Sequence, residues 1–160
     1  MVSYDNFLTE DECEYIINYI KKSDSITNVT NNRNLEFYHI FDYSDFKFLE
    51  KKLNKINIIN KPVFNINKYK KGYYFLPHVD RGGQNDPNKE RIKTIIINLS
   101  KNTDYSGGDL YVNGDVVNTN QGFAISFNSS TIHEVTEITK GVRYSIVIWL
   151  KKNNIKTSVL

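Results

Sequence analysis

His78-Val79-Asp80, His133 and Arg143 are the residues of this 160-residue chain whose types and spacing most clearly spell chemistry. Two histidines and one carboxylate suit a mononuclear Fe(II) centre with open coordination positions. In an extended strand, His78 and Asp80 share one face while Val79 points away, so both can reach one ion. Arg143 adds a planar, permanently charged fork that can hold the far carboxylate of a dicarboxylate co-substrate. Ser145, two residues on, shares its strand face and can donate a second hydrogen bond. Zinc is the other metal to weigh. A structural zinc site needs four Cys or His ligands, which one cysteine cannot supply, whereas a catalytic His/His/Asp zinc fits on ligand type. Arg143 argues for iron. The third histidine, His39, lies between Tyr38 and Ile40 without such context and reads as structural.

These residues need elements to position them. Thr9-x-x-Glu12 is a capping box with Leu8 placed for a hydrophobic staple, and Cys13, Ile16, Ile17 and Ile20 follow on one helical face. Residues 23–34 are rich in Ser, Thr and Asn and read as a loop or frayed hairpin. The spacing of Phe46, Leu49, Glu50 and Leu53 predicts a second helix over Tyr43–Leu53. Beyond Asn60 the pattern shifts to short strand-like runs: Val63–Lys70, Ile92–Leu99, Asp109–Val112, Phe123–Phe127 and Arg143–Leu150. Asn113-Gly114 marks a tight turn, and Gly82-Gly83 and Gly107-Gly108 mark others. The loop Arg81–Glu90 reads as a mobile rim. Helices first and many short strands after them predict a mainly β chain with flanking N-terminal helices (α+β), arranged as a sandwich or jelly roll. We expect one domain over residues 1–160, with helical support over about 1–58 and a jelly-roll core over about 60–152.

Composition narrows the functional classes. Hydrophobic residues at 39% and aromatics at 13% fit a globular chain with a real core. The net charge of +3 comes from lysines spread along the chain, a weak footprint for nucleic acid. No stretch approaches the roughly 18 apolar residues of a membrane span. Cys13 stands alone, so no intramolecular disulfide forms, and the N-terminus lacks a signal-peptide pattern; a cytoplasmic setting is expected. Nothing sets an oligomeric state. Lysine greatly outnumbers arginine, as if charge alone were met by Lys; the arginines that remain, Arg91 and Arg143 among them, gain weight as planar donors.

Tyr69-x-x-Gly72-x-x-Phe75-x-x-His78-x-Asp80, Arg91-x-x-Thr94, Gly107-Gly108-Asp109-Leu110, His133-Glu134-Val135 and Gly141-x-Arg143-Tyr144-x-Ile146-x-x-Trp149 follow in order over about residues 62–150. In this the chain resembles the 2-oxoglutarate/Fe(II)-dependent dioxygenases, and among them the prolyl 4-hydroxylases, including the animal oxygen-sensing type. The resemblance implies a double-stranded β-helix (jelly roll) that binds Fe(2+) through His78, Asp80 and His133. It implies 2-oxoglutarate and O2 as co-substrates, with ascorbate as an accessory reductant. Arg143 would take the C5 carboxylate of 2-oxoglutarate, and Tyr69 would line the pocket. Asn98 stands where the resembling branch often has tyrosine, so its amide becomes the candidate donor there, and Ile96 on the same strand face becomes an apolar wall. Trp149, Tyr73 and Arg91 are candidate substrate contacts, as are Tyr74 and Phe37-Tyr38.

The implied reaction hydroxylates a substrate C–H bond and releases succinate and CO2, with no acid/base residue beyond the metal centre. The implied partner is a protein or peptide that contains proline. Two alternatives stand beside it: the same oxygenase chemistry on another residue, a free amino acid or a nucleobase, and a non-catalytic metal-binding jelly-roll module. The nucleic-acid repair branch extends its arginine motif with further basic residues, and Arg143-Tyr144-Ser145-Ile146-Val147 does not.

Overall fold

A computed structural model describes residues 1–156. In chain order its elements are β1 (Val2–Tyr4), α1 (Glu10–Ile20), the hairpin β2 (Ile26–Thr30) and β3 (Arg33–Ile40), then α2 (Lys47–Lys55), entered through a 3-10 turn. Next come β4 (Phe64–Lys70), β5 (Tyr74–His78), β6 (Lys93–Asn98), β7 (Tyr105–Gly107), β8 (Leu110–Val112) and β9 (Asp115–Val116). β10 (Ala124–Asn128), β11 (His133–Val135) and β12 (Ile138–Leu150) complete the set. The helix α1 starts where the sequence places its cap: Glu12 N–H donates to Thr9 Oγ1 at 3.2 Å, and Thr9 N–H donates to the Glu12 carboxylate at 2.8 Å.

The strands form one curled antiparallel sheet in the order β1-β10-β6-β12-β4-β3-β5-β11-β8-β9, with β2 beside β3 and β7 beside β12. The long strand β12 is its spine, held by β6 on one side and β4 on the other. Side chains alternate across a strand, so each of these three serves two layers. Ile146, Ile148 and Leu150 of β12, Ile95 and Ile97 of β6, and Phe64 and Ile66 of β4 face the helices. There they pack on Cys13, Ile16 and Ile20 of α1 and Leu49 and Leu53 of α2. The opposite face curls around a second cluster that includes Tyr69, Ile96, Val135 and Val147. At the far end of the sheet, Asn113 (φ 56°) and Gly114 (φ 86°) both adopt left-handed backbone, the requirement of a tight turn that keeps β8 and β9 twisted with the sheet.

Of the two readings of the polar stretch 23–34, loop or frayed hairpin, the hairpin is the one formed: residues 26–40 pair fully, so strand structure precedes α2, and β3 pairs with β4 over Glu36–Ile40, which outweighs the polar composition. One expectation is corrected. β5 ends at His78, so Asp80 lies beyond the strand and its position depends on other bonds.

Candidate active site

His78 and His133 are direct cross-strand partners, His78 at the end of β5 and His133 at the start of β11. Their rings lie 4.2 Å apart between centroids. Asp80 closes the triangle, with His78 Nε2 at 3.7 Å from Oδ1 and His133 Nε2 at 3.4 Å from Oδ2. The three candidate ligand atoms lie within 4.8 Å of one another. Each imidazole is oriented by a carbonyl: His78 Nδ1 bonds Leu76 O at 2.8 Å, and His133 Nδ1 bonds Thr131 O at 3.0 Å. A carbonyl only accepts, so Nδ1 carries the proton in both rings and each Nε2 lone pair is free for a metal. Burial, then the neighbouring His133, pushes the His78 pKa down to about 4, which keeps the ring neutral. Phe75 stacks on His78 at 3.5 Å and 9° and fixes its plane.

Asp80 is held by a buried network that the HxD pattern does not reveal. Its N–H donates to Ser129 O at 2.9 Å, and Arg91 reaches its carbonyl at 3.4 Å. Thr94 Oγ1, fully buried, donates to Asp80 Oδ2 at 2.7 Å and lies 3.0 Å from Ser129 Oγ. Because the carboxylate only accepts, the Thr94 proton goes to Asp80 and Ser129 donates to Thr94. One carboxylate oxygen is thereby engaged, and Oδ1 is the freer ligand atom.

Arg143 is 0% exposed, and its Nε, Nη1 and Nη2 find no partner. A buried cation without a counter-charge costs several kcal/mol, so such a group implies an absent anion. It ends a narrow cavity whose other end is His78, Asp80 and His133, with Tyr69, Ile96, Ser145 and Val147 in the walls. Gly108 lets the loop close on the arginine stem: a Cβ there would lie 2.2 Å from Ile138 Cδ1 and 3.3 Å from Arg143 Cδ. Burial pushes the Tyr69 phenol up to about 12, with the Arg143 charge pulling the other way. A metal-binding triad at one end and a bare guanidinium at the other fit an anion that chelates through one end and carries a carboxylate at the other. On donor type and on this orphaned cation, the residues present fit Fe(II) with 2-oxoglutarate.

The inner cavity opens into a mouth of about 470 Å³. Arg91 stacks on Trp149, its guanidinium carbon 4.0 Å from the ring centroid, and both line the mouth. Phe37 joins them, whereas Tyr38 points into the helix-side core. Tyr73 lines neither cavity; its ring lies beneath Lys70 Nζ at 4.9 Å. Asn98 is next to the cavity, but its amide donates to the carbonyls of Ser100 and Thr119, so it has no hydrogen left for a co-substrate. Loop carbonyls brought in by the fold claim it first. His39, read as structural, stands at the mouth. Asn65 and Asn67 of β4, unremarked in the sequence, line it too; their two-residue alternation with Tyr69 was the available signal.

The comparisons with known proteins agree with this geometry. Residues 64–151 match the 2OG-Fe(II) oxygenase superfamily, and the chain belongs to that family. A PKHD-type hydroxylase from Caulobacter vibrioides is 37% identical over 101 residues, which span 58% of this chain and 44% of that protein. A second, from Teredinibacter turnerae, is 33% identical over 100 residues, 58% of this chain and 43% of that protein. The chain thus spans less than half the length of these relatives. In fold it is similar to a Pseudomonas putida prolyl-4-hydroxylase (TM-score 0.74, 17% identity, 94% of this chain and 91% of that one). It is also similar to a Trichoplax adhaerens prolyl hydroxylase solved with a hypoxia inducible factor peptide fragment (TM-score 0.75, 20% identity, 95% and 83%). Among the described residues, no helix is long and apolar enough to cross a membrane.

Proposed function

We propose that the chain hydroxylates a prolyl residue of a peptide or protein, coupled to the oxidative decarboxylation of 2-oxoglutarate to succinate and CO2. The observation that carries this is Arg143, buried with three unpartnered nitrogens at the end of a cavity that begins at His78, Asp80 and His133. In the proposed site, His78 Nε2, Asp80 Oδ1 and His133 Nε2 hold Fe(II). When bound, the metal supplies O2 activation and the oxidising equivalents for C–H cleavage.

The remaining chemistry of the chain is positioning. Arg143 and Ser145 orient the far carboxylate of 2-oxoglutarate, and Ile96, Val135 and Val147 keep water from it. Leu76 and Thr131 carbonyls fix the imidazole tautomers; Thr94 and Ser129 fix the carboxylate. The substrate residue enters between Phe75 and the Arg91–Trp149 stack. Proline as the target is supported by the PKHD-type relatives and by the fold neighbours named as prolyl hydroxylases. An intracellular setting belongs to the same reading and rests on Cys13 being single and buried.

The test is succinate release by the Fe(II)-loaded protein, with ascorbate keeping the metal reduced, over a panel of proline-containing peptides, read with peptide mass. A gain of one oxygen on proline, in step with succinate, is the expected result. Succinate release with oxygen on another residue would replace the substrate. No succinate with any peptide, and no 2-oxoglutarate binding that depends on Arg143, would sink the enzyme.

A further inference from the structure

The mouth does not end at Trp149. It shares His39, Asn65, Asn88, Arg91 and Trp149 with a second hollow of about 410 Å³ beyond the stack. That hollow shares Lys151 and Asn153 with a third of about 510 Å³. Together they make one groove, from the metal-ligating side chains across the Arg91–Trp149 stack to the exit of β12.

Its charge is lopsided. Arg33 and Arg91 stand at the metal end and Lys61 midway, with Arg81, Lys89, Lys151 and Lys152 at the far end. The only acids along it are Asp80, a candidate metal ligand, and Glu90, bound to Lys151 at 2.8 Å. Seven of the chain's 21 Lys and Arg therefore line the groove, against two of its 18 Asp and Glu. Outside it, acids outnumber bases by 16 to 14, so the small net positive charge of the protein is concentrated here. Among the described residues, Arg33, Arg81, Lys89, Arg91 and Lys152 have no carboxylate within 4.0 Å.

We infer that this groove is the bed of an extended peptide, and that it selects substrates carrying Asp or Glu on one side of the hydroxylated residue. The inference rests on the proposed function for what sits at the metal. A cleft lined by one sign of charge concentrates the opposite sign and speeds its capture. Lys151 and Lys152 follow Trp149 by two and three residues; at about 3.3 Å per extended residue in both chains, the acids belong roughly two to three residues beyond the peptide residue that lies over Trp149. A peptide fits better than a nucleic acid, because Arg91 already covers a face of Trp149 at 4.0 Å and denies it to a base.

The experiment measures fluorescence anisotropy of labelled proline-centred peptides on the protein loaded with Mn(II) and 2-oxoglutarate. Peptides differ only in flanking Glu, Gln or Lys. Glu flanks on one side should bind about tenfold tighter than Lys flanks, with the advantage shrinking at high salt. The triple variant Lys89→Glu/Lys151→Glu/Lys152→Glu should lose that preference while turning over a short uncharged proline peptide as before. If that variant does not fold, Lys152→Glu alone should halve the preference or more. Equal binding of Glu- and Lys-flanked peptides overturns the inference, as does a single-stranded RNA that displaces the Glu peptide. A Glu preference in binding with no oxygen gained on proline would instead sink the prolyl target and leave the groove standing.

Discussion

On the outer face of β4 and β12, Phe64, Ile66, Ile146, Ile148 and Leu150 meet the helices, and no buried side-chain polar atom of these strands is left over there. On the inner face of the same two strands, Asn65 Oδ1, the three Arg143 guanidinium nitrogens and Nε1 of the half-buried Trp149 are buried atoms that meet nothing. Asn98 of β6 behaves likewise with its Oδ1. Even charge follows the division. Glu36, on the helix side of β3, is reached by Lys68 and Lys70 at 2.8 Å each, while Arg143 has no partner. A single strand set therefore keeps one face satisfied for stability and the other unsatisfied for ligands.

The difference can be broken from either side. The largest effect is expected from Arg143→Met: 2-oxoglutarate affinity should fall by about 2–5 kcal/mol, measured by titration calorimetry on Mn(II)-loaded protein. Without ligand, the same variant should unfold at higher denaturant, by about 1–4 kcal/mol, since a buried lone charge has gone. A variant that loses both affinity and stability would refute the division. Ile148→Ala, one face away, should do the reverse. It should cost about 2–5 kcal/mol of stability and leave the 2-oxoglutarate KM of the folded protein unchanged.

Thr94→Val sharpens the comparison, because Thr94 is an inner-face residue whose polar atom is satisfied, by Asp80 and Ser129. Mn(II) affinity should fall about 10- to 100-fold, and Thr94→Ser should restore most of it; equal affinity in all three proteins would remove Thr94 from the site. The smallest effect concerns Glu36. Burial alone would raise its pKa, but the hydrogen bonds and charges of Lys68 and Lys70 outweigh it and hold the carboxyl below its usual range. The stability it adds is present above the unfolded-state pKa and is lost as pH falls through the lower folded value. Unfolding curves of the protein and of Glu36→Gln should converge on acidification, and a gap that widens would contradict this.

Much of this arrangement was legible in the sequence, for local reasons. The cap at Thr9 and the alternation in β12 are short-range patterns, and they survive folding. His78, His133 and Arg143 were visible because their types are rare in this chain and chemically specific, and Asp80 because it stands two residues from His78. What stayed hidden or open depends on distant partners. The polar stretch 23–34 read equally as loop or hairpin, and the hairpin β2–β3 is decided because β4 offers β3 an edge. Asn98 lost its expected role to carbonyls of Ser100 and Thr119, one of them 21 residues away. Thr94 and Ser129, 35 residues apart, meet only after β6 and β10 pair. The groove beyond Trp149 collects residues from five separate stretches and has no linear signature.

The two-layer duty of β12 also limits how this chain can evolve. Inserting or deleting one residue between Arg143 and Trp149 would turn Ile or Leu toward the cavity and a guanidinium toward the helices, because side-chain direction alternates residue by residue. Both layers would fail together. Substitutions in this segment can be tolerated one face at a time, whereas an odd change in its length cannot, so in divergent descendants length variation should collect in the turns around Gly83 and Gly114 and spare β12.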